Sequence, residues 1–134
     1  MKLINKDTDY AVRALMVMAG NGGNYMSAKA IASAQKIPYY FLRRVLQPLI
    51  KKRMVISREG TAGGVKLAVD PGKIRVIDLI RIYHENFELS KCMFRGKPCS
   101  NRPACVLRKE VLIIEAELIS KFEKLTIKKL LEKK

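Results

Sequence analysis

Apolar residues recur along the chain with two different periods, and the change of period divides it into elements. From residue 8 to 19, Ala11, Leu15 and Met18 or Ala19 return at helical spacing. Thr8 is placed to cap this first helix, and Asp9 falls in its first turn, where a carboxylate suits the helix dipole. Gly20, Gly22 and Gly23 end it. Ser27 should cap a short second helix whose small residues, Ala28, Ala30, Ile31 and Ala32, allow close packing. Lys36 and Ile37 form a tight turn, and Pro38 suits the first position of a third helix running to about Lys52. Phe41, Leu42, Val45, Leu46, Leu49 and Ile50 then face inward, leaving Tyr39, Tyr40, Arg43, Arg44, Gln47 and Lys51 on the other sides. Pro48 removes one backbone hydrogen bond, which predicts a kink or an early end.

The period then drops to two. Met54 to Ser57 and Val65 to Val69 read as strands joined by the glycine-rich stretch Glu59 to Gly64, a β-hairpin with Arg58 and Lys66 flanking its tip. Asp70-Pro71-Gly72 is a turn, and Val76, Ile77, Leu79, Ile80 and Tyr83 mark a short fourth helix. A last helix is expected from Val106 to Leu131, about 39 Å long. Leu107, Val111, Ile114, Leu118, Phe122 and Leu125 form a narrow stripe along it, like a coiled-coil seam. So small a core cannot cover a helix of that length, and packing against a second copy gives a twofold homodimer. The predicted fold is mostly α: a winged helix-turn-helix DNA-binding domain with a small β-hairpin wing and a long C-terminal dimerisation helix. One domain spans 1–134, with helix-turn-helix and wing in 1–75, a linker helix and cysteine loop in 76–105, and the dimerisation helix in 106–134.

Composition sharpens this. The chain has 134 residues, 49% of them hydrophobic, which supports one globular domain with a modest core. No apolar run approaches the ~20 residues of a membrane span, so no membrane partner is expected. Formal net charge is +15, and from Ser27 to Lys73 ten Lys/Arg face two acids. That cluster coincides with the helix-turn-helix and wing and implies a polyanionic partner, read here as double-stranded DNA. Arg43, Arg44 and Tyr40 are candidates for groove contacts, with Ser27, Lys29, Arg58 and Lys66 on phosphates. There is no Walker loop, no nucleotide-binding glycine fingerprint and no Ser/His/Asp-type constellation, so an enzyme is not expected.

All three cysteines fall in one stretch, Cys92, Cys99 and Cys105, broken by Gly96, Pro98 and Pro103 into a loop. Lys2 and Lys6 are followed by an interrupted amphipathic pattern and not by the apolar run of a signal peptide, which predicts a cytoplasmic protein. In a reducing compartment, clustered cysteines bind metal or sense redox change more often than they form disulfides. Paired Cys-x2-Cys zinc knuckles are absent. Zinc held by the cysteines with His84, an iron–sulfur cluster with one non-cysteine ligand, a metal-free thiol switch and unrelated loop cysteines all remain open.

The combination resembles the IscR/NsrR-type bacterial transcription regulators, the winged-helix Rrf group. The residues that carry the likeness are the opening Met1-Lys2-Leu3, Thr8 to Leu15, Ser27 to Ala32, Ile37 to Leu42, the wing glycines Gly60, Gly63 and Gly64, and the three cysteines. The resemblance implies a DNA-binding dimer in which an iron–sulfur cluster controls operator affinity. It makes Cys92, Cys99 and Cys105 ligands and, because NsrR-like members use an aspartate in a Thr-Asp pair, favours Asp9 of the partner subunit as the fourth over His84, Asp7, water or a small thiol. It therefore favours 4Fe-4S over 2Fe-2S. IscR-like members carry a histidine three residues after the last cysteine; here that place is Arg108, which cannot ligate iron. The first two cysteines stand one residue further apart than in most relatives. Glu59-Gly60 replaces a frequent Arg-Gly in the wing, Val65 replaces a common aromatic, and Arg43 replaces an acidic residue of IscR-like recognition helices. The operator sequence does not carry over.

Overall fold

The computed structural model describes residues 4–84, 100 and 102–133. Helix α1 spans Lys6–Ala19 and starts ahead of the expected residue 8. Its cap is Asn5, not Thr8: the Asn5 side chain accepts the Thr8 N–H at 2.9 Å and the Thr8 hydroxyl at 2.8 Å. Thr8 is fully buried, so its hydroxyl needs a protein partner, and Asn5 supplies one. The Asn5 amide also donates to the Tyr83 carbonyl at 2.9 Å, tying the start of α1 to the end of a helix far along the chain.

Helix α2 (Ala28–Gln35) is capped by Ser27 as expected, the hydroxyl accepting the Ala30 N–H at 3.0 Å. Lys36 takes the left-handed conformation, with φ of 53°, and turns the chain into α3 (Tyr39–Lys51). Pro38 sits at the cap position, one place before the expected one. The helix runs past Pro48 to Lys51, so the proline does not end it early. Leu42, Val45, Leu46 and Leu49 are buried, and Phe41 and Ile50 lie partly buried against the core.

Strands β1 (Val55–Arg58) and β2 (Gly64–Leu67) pair antiparallel, Val55 opposite Leu67 and Arg58 opposite Gly64. Met26, just ahead of α2, adds an isolated bridge on the free side of β2: it exchanges backbone hydrogen bonds with Val65 at 3.0 and 2.8 Å. A 3-10 turn at Pro71–Lys73, capped by Asp70, leads into α4 (Val76–Tyr83).

The C-terminal helix is not continuous. Helix α5 (Val106–Lys124) stops, Leu125 is extended, and Thr126 caps a separate α6 (Ile127–Glu132). At this break the Val76 N–H donates to the Leu125 carbonyl at 2.8 Å, and the Ile127 N–H donates to the Ile74 carbonyl at 3.0 Å. Ile127 is fully buried in the core that Leu15, Ile31, Leu42, Leu49 and Ile74 also fill. Burying that side chain and pairing with residues 74–76 are incompatible with a straight helix to Leu131. Helix α5 is thus about 28 Å long and not about 39 Å.

The phenol of Tyr83 donates to the Val45 carbonyl on α3. Burial first, and the Asp7 charge second, push its pKa up from the ordinary 10.0. A raised acid pKa leaves the folded state intact below the unfolded value and costs stability above it, because only the unfolded chain then ionises readily. Stability to urea is therefore expected to fall as pH rises beyond about 10. Tyr83→Phe should flatten that fall while costing about 1 kcal/mol at neutral pH for the lost hydrogen bond. An unchanged alkaline slope in this variant would contradict the assignment.

Candidate nucleic-acid interface and cysteine site

The outer face of α3 combines aromatic rings with cations. Tyr40 is 75% exposed. Tyr39 joins two elements: Lys29 of α2 and Arg43 of α3 each lie 5.8 Å from its ring centroid. Arg44 differs from its neighbour. Its guanidinium donates to Asp7 of α1 at 2.7 Å and lies 5.0 Å from the Phe41 centroid. Arg43 forms no ion pair among the described residues, so of the two it is the cation open to a ligand. The Ser27 hydroxyl caps α2, yet accepting one hydrogen bond leaves its own O–H free to donate.

On the wing, Arg58 and Lys66 converge on Tyr25, at 4.1 and 4.7 Å from its ring centroid. Pattern and resemblance both missed Tyr25; the available signal was an aromatic directly before the Met26-Ser27 entry to α2. Beside α3, a groove of about 910 Å³ opens towards α4, its cations Arg44, Lys51, Lys52 and Arg81 set among Gln47, Pro48, Met54 and Ile82. Its acid, Asp78, is held by Arg75 at 2.8 Å. The basic surface thus extends beyond the residues named from sequence.

Of the cysteines, Cys92 and Cys99 lie outside the described residues. Cys105 is half-buried and caps α5, its Sγ accepting the Arg108 N–H at 3.4 Å. Asp9 lies in the first turn of α1, half-exposed, its carboxylate paired with Arg13 one turn on. His84 is the extended residue that ends α4, its N–H donating to the Ile80 carbonyl at 2.8 Å. No group of three or more His, Cys, Asp or Glu that could hold a metal occurs among the described residues.

Helix α5 buries none of its residues. Val106 and Leu107 are 70% and 73% exposed, and Leu112, Ile113 and Ile114 are exposed as well. This apolar surface is broader than the predicted seam, since Val106, Leu112 and Ile113 lie beside it. Leu118 and Phe122 are half-buried, and Leu125 falls outside the helix.

A short helix, a tight turn, a basic helix with one exposed aromatic face and a two-stranded wing together define a winged helix-turn-helix DNA-binding protein. The family model of the Rrf2 regulators, described as iron-dependent transcriptional regulators, matches residues 4–133. The chain belongs to that family. It is 33% identical over 107 residues to the HTH-type transcriptional regulator NsrR of Oceanobacillus iheyensis, covering 78% of this chain and 73% of that protein. Its fold matches CymR, the global cysteine regulator of B. subtilis, with a TM-score of 0.84, 20% identity and coverage of 100% and 99%. It also matches T. potens IscR, with a TM-score of 0.73, 23% identity and coverage of 99% and 88%. No helix among the described residues is long and apolar enough to cross a membrane.

The unequal engagement of the two arginines is testable. Arg43→Ala is expected to weaken duplex binding by about 1–3 kcal/mol. Arg44→Ala should weaken it less, because the Asp7 pair competes with any phosphate or base. Fluorescence anisotropy on a labelled duplex checks the order; a larger loss in Arg44→Ala would reverse it.

Proposed function

We propose that the protein is a cytoplasmic, homodimeric transcription regulator, a repressor, whose operator affinity is set by an iron–sulfur cluster that responds to nitric oxide, redox state or iron supply. The observation that carries this reading is the place of Cys105. It heads α5, the helix that has no fully buried residue and exposes a run of apolar side chains. A group held at that thiol would lie at the head of the helix that a second copy is expected to cover.

The donor set fits such a group. Cys92, Cys99 and Cys105 are soft thiolate donors suited to iron–sulfur chemistry, and one further ligand completes a four-iron cluster. Asp9 of the partner subunit is the proposed fourth. Its present partner, Arg13, holds it through a pair of half-exposed groups, a contact weak enough to be exchanged for a metal. When bound, the cluster supplies a reactive site whose loss or modification changes the charge and packing around the thiols. The rest falls to the chain itself. Tyr83 ends α4, nine residues before Cys92 in the sequence, and it hydrogen-bonds both the α1 cap and the recognition helix. Ser27, Lys29, Tyr40, Arg43, Arg58 and Lys66 then engage DNA, with Arg44 joining where Asp7 releases it.

Anaerobic reconstitution with iron and sulfide tests the cluster. A brown protein absorbing near ~400 nm is expected. Asp9→Ala should change the visible spectrum or speed cluster loss, while His84→Ala should match the wild type. The opposite pattern assigns the site to His84, and an unchanged spectrum in both variants assigns it to an exogenous ligand. A colourless protein carrying zinc favours a zinc-stabilised nucleic-acid binder, and a colourless, metal-free one favours a thiol-based redox regulator.

The dimer has its own test. Leu118→Glu places a carboxylate in the proposed interface, where an unpaired charge costs several kcal/mol. Sedimentation should show a monomer at micromolar concentration. A folded variant that remains dimeric would move the interface elsewhere.

A further inference from the structure

The register of the wing assigns its two faces. Ile56 is opposite Lys66 and Arg58 opposite Gly64. Cross-strand partners share a face, as do residues two apart, so Ile56, Arg58 and Lys66 lie on one side. Val55 and Val65, on the other, are buried, which makes the first side the outer one. Met26 pairs with Val65 and packs partly buried against the core. Tyr25, one residue earlier, is therefore turned to the outer face.

Gly64 permits this arrangement. Its φ is +138°, and a Cβ there would meet the Met26 carbonyl oxygen at 2.2 Å. A larger residue would push the Tyr25-Met26 segment off the wing. The Arg58 guanidinium also donates to the Ala62 carbonyl at 2.8 Å, which fixes it at the tip.

Two like charges thus converge on one half-buried ring, both within the ~6 Å reach of a cation–π contact. Neither cation forms an ion pair among the described residues, and Glu59, the neighbouring acid, is not paired with either. Their mutual repulsion is relieved when one anion accepts hydrogen bonds from both, as a phosphate with several acceptor oxygens does.

We propose that Tyr25 is the positioning residue of a wing clamp, its ring holding Arg58 and Lys66 together so that both engage one backbone phosphate of duplex DNA. The clamp rests on the DNA-binding reading above and adds to it a residue that itself touches no base. It makes the wing contact independent of DNA sequence and present with or without a cluster.

The test uses the full chain and a labelled short duplex of arbitrary sequence, with affinity measured between 50 and 200 mM salt. Tyr25→Leu should reduce the salt slope by about 1–2 and weaken binding by roughly five- to thirtyfold per engaged wing. Tyr25→Phe, which keeps the ring, should stay within about twofold of wild type. Arg58→Ala/Lys66→Ala should lose as much as Tyr25→Leu, and combining all three should add little. A wild-type slope in Tyr25→Leu overturns the clamp, as does a loss in Tyr25→Phe equal to that in Tyr25→Leu. A further readout needs no Tyr25 variant: the ring-proton resonances of Tyr25 should shift when duplex is added to the wild type. They should stay in place in Arg58→Ala/Lys66→Ala. Fixed resonances in the wild type overturn the clamp while leaving DNA binding intact, whereas a wild type with no salt-dependent duplex affinity overturns the DNA-binding reading itself.

Discussion

The two hydrogen bonds that pair residues 74–76 with 125–127 govern the architecture. They close the chain on itself: the segment entering α4 is joined to the segment leaving α5, and Ile127 is carried into the core. With both ends of the 76–124 stretch anchored there, α5 runs from Cys105 to that fixed point. Its sequence could have supported a longer rod. Burying Ile127 outweighs the backbone regularity given up at Leu125, since a fully buried isoleucine is worth about 1.5–3 kcal/mol. Arg75 reinforces the junction, reaching Asp78 at 2.8 Å and Glu123 of α5 at 3.4 Å. Both are half-exposed pairs, so their part is to orient more than to stabilise.

A second set of contacts joins the helix-turn-helix to the rest. Asn5 caps α1 and holds the end of α4, and Tyr83 at that end reaches the backbone of α3. Asp7, two residues beyond Asn5, holds Arg44 on the recognition helix. The first turn of α1 therefore touches both the terminus of α4 and a candidate DNA-binding side chain. Asp9, the proposed cluster ligand, lies in that same turn. A ligand drawn from there would act on a segment already bonded to the recognition helix, with no long chain of intermediaries.

Much of this was legible in the sequence, for identifiable reasons. Ser27 and the period-2 alternation on either side of the wing glycines are local signals, and local signals gave α2 and the hairpin to within a residue or two. The buried face of α3 followed from helical periodicity alone. Apart from the two prolines of α3, the misreadings share a different cause: each depended on a contact distant in sequence. Thr8 looks like a cap until its burial is known, and its burial depends on the helices packed around it. The break at Leu125 cannot be seen from the apolar stripe, which runs on to Leu125 without interruption; it is set by the burial of Ile127 in a core built from distant elements. Met26 has no strand signal of its own; it pairs because Gly64 lets the backbones approach. The carboxylate of Asp7 and the ring of Tyr25 were invisible for the same reason, since their partners lie 37 and more than 30 residues away.

The charge distribution follows from the same geometry. Tyr39 and Tyr25 each gather two cations, one pair spanning α2 and α3 and the other spanning the two strands of the wing. A chain of net charge +15 would be expected to spread its cations to reduce repulsion. Here aromatic rings concentrate several of them instead: Tyr39 on the helix-turn-helix and Tyr25 on the wing do so, as do Tyr10 and Phe41, which share Lys6. Cation–π attraction at partly exposed sites is worth about 0.5–1 kcal/mol per contact, comparable with the repulsion between two solvated like charges a few ångströms apart. The balance without a ligand is therefore near neutral, and a polyanion tips it by supplying the missing counter-charge. Helix α1 shows the contrasting case: Arg13 and Arg44 are already matched by Asp9 and Asp7. Matched cations anchor the fold, and among the described residues those without an ion pair are the candidates for a polyanion, so where the chain places its few acids decides which is which.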